Sequence, residues 1–502
     1  MASLKKPPMA SRRTLAATAC LLVLLLLLAL GGAVVEARPG PPPARHKVAP
    51  RRLLSTNAPQ NVDSHGATGD DGTNKAFEKT WTSSVHRKAA AKSKPQKGAP
   101  ESVVFDVGSY GAVGDGRSDD TKAFQKAWSK ACSSPQPAAL LVPAGNKYLV
   151  KEIVFAGPCK SQVTFKHDGT IVAPQDKADW SKPHGYPHWI HFSNIDSLTV
   201  TGKGTLDGNG KVWWKNSCRI NKKLPCTHAP TTLIFSSCKH LKVENIKLIN
   251  SPQFHLWVES CHDVTLSRLT ITSPGNSPGT DGIHVANSED VRIIKANIKS
   301  GDDCISVETG TKNLYATKIE CGPGHGISIG SLGDDNSKAQ VSNITIDTAH
   351  LTETMFGARI KSWQGGGGYA KDIKFLNLVM DNVKNPIIID QNYCTMADPA
   401  HPKPCKEQKS AVQFSNILFK NIKGTSATED AIKLHCSKAF PCRDVVLQDI
   451  DLKMKGGGDK KIVTTSTCEN AILSKSSNVS PSPCTSGVTK DDKDDVIPED
   501  YE

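Results

Sequence analysis

Three isoleucines, Ile283, Ile305 and Ile327, stand 22 residues apart, and each follows a polar turn that carries glycine. The turns are Thr280-Asp281-Gly282, Gly301-Asp302-Asp303 and Gly324-His325-Gly326. Each runs into a short alternating segment: Ile283-His284-Val285, Ile305-Ser306-Val307 and Ile327-Ser328-Ile329. A fixed period of this length marks a stacked solenoid, in which each unit buries its apolar side only against its neighbours. From Ser193 onward, β-rich runs such as LTVTGKGTLDG, LKVENIKLINS, VRIIKANIKSG, IKFLNLVMDNV and VVLQDIDLKM recur with no helical pattern between them. Strands so short and numerous leave no room for βαβ units, and the pattern predicts an all-β chain wound as a parallel β-helix. The asparagines that close these runs, Asn245, Asn343, Asn377 and Asn421, are expected in left-handed turns that stack as side-chain ladders.

The repeat makes one long domain, expected over 101–484, out of a chain whose 502 residues would permit two or three. Residues 1–37 carry Lys5, Lys6, Arg12 and Arg13, an apolar run around Leu21 and Leu28, and the small-residue site Val35-Glu36-Ala37, as expected of a secretory signal peptide. Residues 38–100 are rich in Pro, Ala, Ser, Lys and Arg and read as a disordered basic arm or propeptide. The segment beginning at Val103 is expected to pass from a strand through a Gly/Asp turn into a helix that buries Ala123, Phe124, Ala127 and Trp128 and caps the end of the stack. Asp119 and Asp120 are expected to cap that helix. Residues 485–502 read as an acidic, solvated tail.

The net charge of +13 is not spread evenly. Residues 1–100 hold 16 Lys+Arg against 5 Asp+Glu, and the remainder holds 46 against 44. The folded part is therefore close to neutral, and an anionic substrate must be held by a local cluster rather than by a global field. No nucleic-acid partner is expected, nor a membrane one once the signal is removed, and the chain is expected to be a monomer. Of 15 cysteines, Cys20 lies in the leader, and the fourteen left suit disulfides in an oxidising compartment. Cys304 and Cys321 flank one repeat, and Cys218/Cys226, Cys394/Cys405, Cys436/Cys442 and Cys468/Cys484 are near neighbours. No CxxC pair favours zinc. Asn343-Ile344-Thr345 and Asn478-Val479-Ser480 are glycosylation sequons, the first doubling as a turn asparagine.

Stacking at ~4.8 Å per coil brings the isoleucine-aligned turns side by side. Asp281, Asp302, Asp303 and His325 then form one patch, and the following coils add Arg359, Lys361 and Tyr393. An Asp-Asp pair alone is commonly a turn or a calcium ligand; three carboxylates, an imidazole, two cations and a phenol in one register exceed what a structural coil needs. Strict alternation would turn Asp281, Asp303 and His325 inward, where unpaired charge is costly. Gly282, Gly301 and the Gly324/Gly326 pair are therefore expected to break the strand and turn these side chains outward.

The motifs SPGTDGIH (277–284), SGDDCISV (300–307), CGPGHGISIGSLG (321–333) and ARIKS (358–362), in that order, resemble those of the plant polygalacturonases of glycoside hydrolase family 28. FDVGSYGAVGDGRSDDTKAFQKAWSKAC fits the same family's opening segment. The resemblance implies a right-handed parallel β-helix, secreted to the plant cell wall, that hydrolyses α-1,4-galacturonan in pectin with inversion and needs no cofactor or metal. It makes Asp302 the general acid, Asp281 and Asp303 the pair that activates water, and His325 a support for the acid. Crowding of the carboxylates is expected to raise one pKa and keep a proton at hand. Arg359 and Lys361 match the cations that hold a galacturonate carboxylate, and Tyr393 the family tyrosine. The family usually has Asn where this chain has Gly279, which is expected to lower turnover. Two other readings share the motifs, a rhamnogalacturonan or xylogalacturonan hydrolase and a weakly active or non-catalytic pectin-binding homologue. A calcium-dependent pectate lyase shares the coil but not this acid/base triplet.

Overall fold

The computed structural model describes residues 102–180, 187–393, 408–456 and 463–483. The signal, the basic arm, the acidic tail and the Cys394/Cys405 pair lie outside the described residues. What is described is a parallel β-helix. One wall is an 11-stranded parallel sheet, from Ile153–Ala156 through Leu256–Glu259, Ile283–Ala286, Ile305–Val307, Ile327–Leu332, Phe356–Trp363 and Asn385–Tyr393 to Thr465–Glu469. The other walls join in a 19-stranded sheet, whose strands lengthen from Glu289–Lys299 onward.

The predicted register holds: Ile283 pairs with Ile305 and Ile305 with Ile327, continuing to Ala358 and Ile387. Apolar residues stack directly above one another through the interior, as in Val291, Leu314, Ile344, Ile373, Ile417 and Val445, all sealed from solvent. Phe375 and Phe419 repeat this with parallel rings 5.4 Å apart. Apolar neighbours of similar size above and below give dense packing without helices, so the core is a column rather than a sphere.

Asn245, Asn343, Asn377 and Asn421 all adopt positive φ, between 53° and 62°. The Asn421 side-chain amide donates to Asn377 Oδ1 at 2.7 Å, Asn377 to Asp347 Oδ1 at 2.7 Å, and Asn343 to Asn313 Oδ1 at 2.8 Å. Each satisfies polar atoms that a turn would otherwise leave to water.

A helix at Thr121–Ser133 packs over the first coils through Ala123, Phe124, Ala127 and Trp128, where Trp128 meets Phe155 and Phe192. Its capping departs from expectation. Asp119 Oδ1 accepts from Thr121 N at 3.0 Å, but Asp120 makes no side-chain cap bond and accepts from Val113 N and Gly114 N. The glycine turn preceding the helix presents those two N–H groups to Asp120, and it takes them instead of the helix end. A second, short helix, Lys211–Lys215, was not foreseen.

Disulfides join Cys132–Cys159, Cys218–Cys226, Cys304–Cys321 and Cys436–Cys442, and Cys468 is also bonded. Not all fourteen cysteines pair. Cys238 and Cys261 are free, buried thiols on successive coils, where they serve as small apolar core residues. No helix among the described residues is long and apolar enough to cross a membrane.

Candidate active site

The expected parity break is present, and its cause is visible. A Cβ built on Gly282 would lie 2.5 Å from Ile298 Cγ2, so Gly282 faces the interior, as does the adjacent Ile283. Cys304, one coil on, likewise points inward beside Ile305 and is tied to Cys321. Two consecutive inward positions shift the alternation by one and send Asp281 and Asp303 to the outer face. Gly326 repeats the arrangement at φ 82°, with Phe356 O only 2.0 Å from where a Cβ would stand. Gly301 plays a separate part: it lets the turn pass against the Ser277 backbone.

Asp281 and Asp303 are nearly sealed from solvent, yet they lie outside the coil interior. Asp303 Oδ1 accepts from Ser328 Oγ at 2.8 Å and from Arg359 Nη2 at 2.6 Å, and Oδ2 accepts from Lys361 Nζ at 3.0 Å. Ser328, Arg359 and Lys361 are outer-face residues that alternate with the inward Ile327, Ile329, Ala358 and Ile360. The guanidinium of Arg359 also lies 4.0 Å over the Phe356 ring.

Asp302, one residue earlier, is more open than Asp303, at 14% exposed, and meets other partners. Its Oδ1 lies 2.9 Å from His325 Nδ1 and accepts from Asp303 N at 3.0 Å, and its Oδ2 lies 3.2 Å from Arg219 Nη1. Burial works to raise its pKa, but the His325 bond and the charges of His325, Arg219 and Lys361 prevail and hold it below the ordinary carboxylate range. His325 moves the opposite way: burial would lower it, and Asp302 raises it. Asp281 is pushed well up, first by burial and then by the charges of Asp302 and Asp303; its carboxylate Oδ2 lies 3.4 Å from His284 Nδ1. Crowding therefore favours a proton on Asp281 rather than on Asp302, because Asp302 has gathered the cationic partners.

Tyr393 is set apart from the carboxylates. It touches Trp363 edge-on and lies 5.4 Å from Lys361 Nζ. Four residues that sequence reasoning missed also belong here. Arg219 comes from an irregular loop that no period could place. His284 and Glu308 face outward by plain alternation and could have been read. His255 is wholly buried; its Nδ1 lies 2.8 Å from the Asp281 carbonyl O and its Nε2 2.8 Å from Ser273 Oγ, which fixes the turn bearing Asp281. Burial drives its pKa down to about 4, so it acts as a neutral strut.

His284 stacks under Phe254 at 4.4 Å with Trp257 edge-on, and Glu308 lies nearby in a cavity of ≈ 260 Å3. Burial pushes the Glu308 carboxyl up to about 7. Donor atoms of Asp302, Asp303 and His325 lie within 4.8 Å of one another, close enough to receive a cation. Arg359, Lys361 and Arg219 already supply positive charge to those oxygens, so a metal ion would have to displace them.

Paired carboxylates on a β-helix wall, with cations beside them, define a hydrolase that acts on a glycan by acid and base. The pattern described as glycosyl hydrolases family 28 matches residues 132–478, and the chain belongs to that family. It is 49% identical to a polygalacturonase of Persea americana over 75% of this chain and 79% of that one. It is 47% identical to polygalacturonase-2 of Solanum lycopersicum over 76% and 81%. Among solved structures, a polygalacturonase of Erwinia carotovora ssp. carotovora aligns with TM-score 0.61 at 24% identity, covering 74% of this chain and 97% of that one. An endo-xylogalacturonan hydrolase of Aspergillus tubingensis aligns with TM-score 0.61 at 23% identity, covering 75% and 100%. At these identities both speak for the fold alone.

Proposed function

We propose that the protein is a secreted polygalacturonase that hydrolyses α-1,4-galacturonosyl linkages of pectin with inversion. The observation that carries the reading is Asp281, Asp302 and Asp303 on one outer face beside two buried cations, Arg359 and Lys361. Asp303 alone balances only part of their charge, and a uronate carboxylate suits the remaining donors of the guanidinium fork and the ammonium without their leaving Asp303, whereas a neutral sugar brings no such anion. The polygalacturonase names of relatives near half identical support the same substrate. Disulfides and the leader support secretion to the plant cell wall.

In the reaction, Asp302 gives a proton to the glycosidic oxygen as the C1–O bond breaks. Water activated by Asp281 and Asp303 adds to C1 from the opposite face and loses its proton to the base. The proton Asp302 needs stands 2.9 Å away on His325, whose pKa is raised. Exchanged roles have one point in their favour: burial and the charges of Asp302 and Asp303 push the Asp281 carboxyl well up, while Asp302 is held below the ordinary range.

Reducing-end release from polygalacturonate, set beside xylogalacturonan and rhamnogalacturonan, tests the substrate. Release from polygalacturonate is expected. Activity confined to either of the other polymers, or binding without release, would replace this reading. Proton NMR of the first product anomer tests inversion.

A further inference from the structure

Arg219 differs from the site's other two cations in its freedom to move. Arg359 and Lys361 are 6% and 9% exposed and locked on Asp303, so neither can turn away without stranding buried charge. Arg219 is 63% exposed and holds Asp302 through one nitrogen at 3.2 Å. Asp302 itself is 14% exposed, so the pair is open to water only at its Arg219 end, where a single contact can be exchanged without burying the guanidinium. Its backbone, by contrast, is fixed: Cys218 is bonded to Cys226, and Arg219 N donates to Ser217 Oγ at 3.2 Å. A mobile head on an anchored stem therefore stands at the mouth of the site.

Gly279 lies beside it. The residue sits at φ 68°, and a Cβ there would meet only Arg219, at 3.7 and 3.8 Å. The guanidinium thus borders the place where the family usually carries an asparagine side chain. The other groups that face Asp302 are His325, which is 30% exposed, and the buried Lys361, Asp281 and Asp303, so Arg219 is the most exposed cation of the set.

We propose that Arg219 is a movable clamp, closed on Asp302 in the free enzyme and turned onto a uronate carboxylate when pectate binds, so that it selects de-esterified substrate. This rests on the polygalacturonase reading. Release of Asp302 removes a cation that keeps it ionised, and the acid then takes up its proton as the sugar arrives.

The test uses the full chain with R219Q and R219K, on polygalacturonate and on highly methyl-esterified pectin across pH. R219Q is expected to raise KM for polygalacturonate about tenfold, the scale of one charge-assisted contact, and to change KM for the esterified polymer by less than about twofold. R219K should recover most of the loss. The basic limb of kcat/KM, which reports the free enzyme, should move to higher pH in R219Q while that of kcat stays in place. Equal effects on both polymers, or limbs that move together, would mean a fixed structural contact and overturn the clamp. Calorimetric titration with a galacturonate oligomer separates the two claims. Tight binding lost in R219Q, with no hydrolysis by the unaltered chain, defeats the enzymatic reading alone; hydrolysis with unchanged R219Q binding defeats the clamp alone.

Discussion

Asp303 Oδ1 lies 2.6 Å from Arg359 Nη2, and the two side chains are 3% and 6% exposed. With Lys361 3.0 Å from the other oxygen, one carboxylate neutralises two buried cations in part. D303N keeps the shape and removes the charge, so it should destabilise the fold by about 3–5 kcal/mol as well as abolish turnover. Urea unfolding reads the first effect, and adding K361M should restore part of it. A D303N protein as stable as its parent would contradict this account of the pair.

His325 and Asp302 stabilise the fold jointly over a limited pH range. Asp302, lowered from 3.8, contributes above that pH and loses its contribution as pH falls further. His325, raised from 6.5, contributes below that pH and loses its contribution as pH climbs through the folded value. The stability gap between the parent and H325A should thus be widest between those pH values and shrink on either side. Melting curves across pH give the profile, and a gap flat with pH would exclude the pair as its source.

The acid can be identified with leaving groups. An aryl galacturonide with an acidic phenol needs little protonation, so the variant lacking the acid should keep far more activity on it than on the polymer, by about 10²-fold or more. D302N is expected to show this selectivity and D281N to lose both activities. The reverse result would exchange their roles.

Gly279 tolerates asparagine by geometry, since asparagine is among the residues that accept a left-handed backbone and the flank holds only Arg219. G279N should change stability by less than ~0.5 kcal/mol. It should raise kcat on polygalacturonate about tenfold through one added hydrogen bond to the site. An unchanged kcat would remove the missing amide as a limit on turnover.

Glu308, pushed up to about 7 by burial, keeps its proton in the folded protein from pH 4.5 to 7 while the unfolded chain gives it up. This group's contribution to stability must therefore fall as pH rises across that interval. E308Q should flatten that part of the melting profile, and a slope that persists in E308Q would assign it elsewhere.

The fold was legible because the interior column is periodic, and Ile283, Ile305 and Ile327 pair as their spacing requires. The patch was legible for the same reason, once glycine was allowed to break the alternation. Protonation was not: it depends on which carboxylate meets His325 and Arg219, and Arg219 arrives from a loop 83 residues away in sequence with no period to locate it. The unpaired Cys238 and Cys261 were equally hidden, since an even count carries no information on which thiols end in the core.

The groups of the proposed site are divided among successive coils, with Asp281 on one, Asp302 and Asp303 on the next, His325 on the third and Arg359 with Lys361 on the fourth. A coil inserted between any two of them would separate groups that the proposed mechanism brings to one bond. Lineages of this enzyme can therefore lengthen or shorten the cleft by whole turns only before residue 281 or after residue 361, and that interval of the gene should keep its length while its flanks drift.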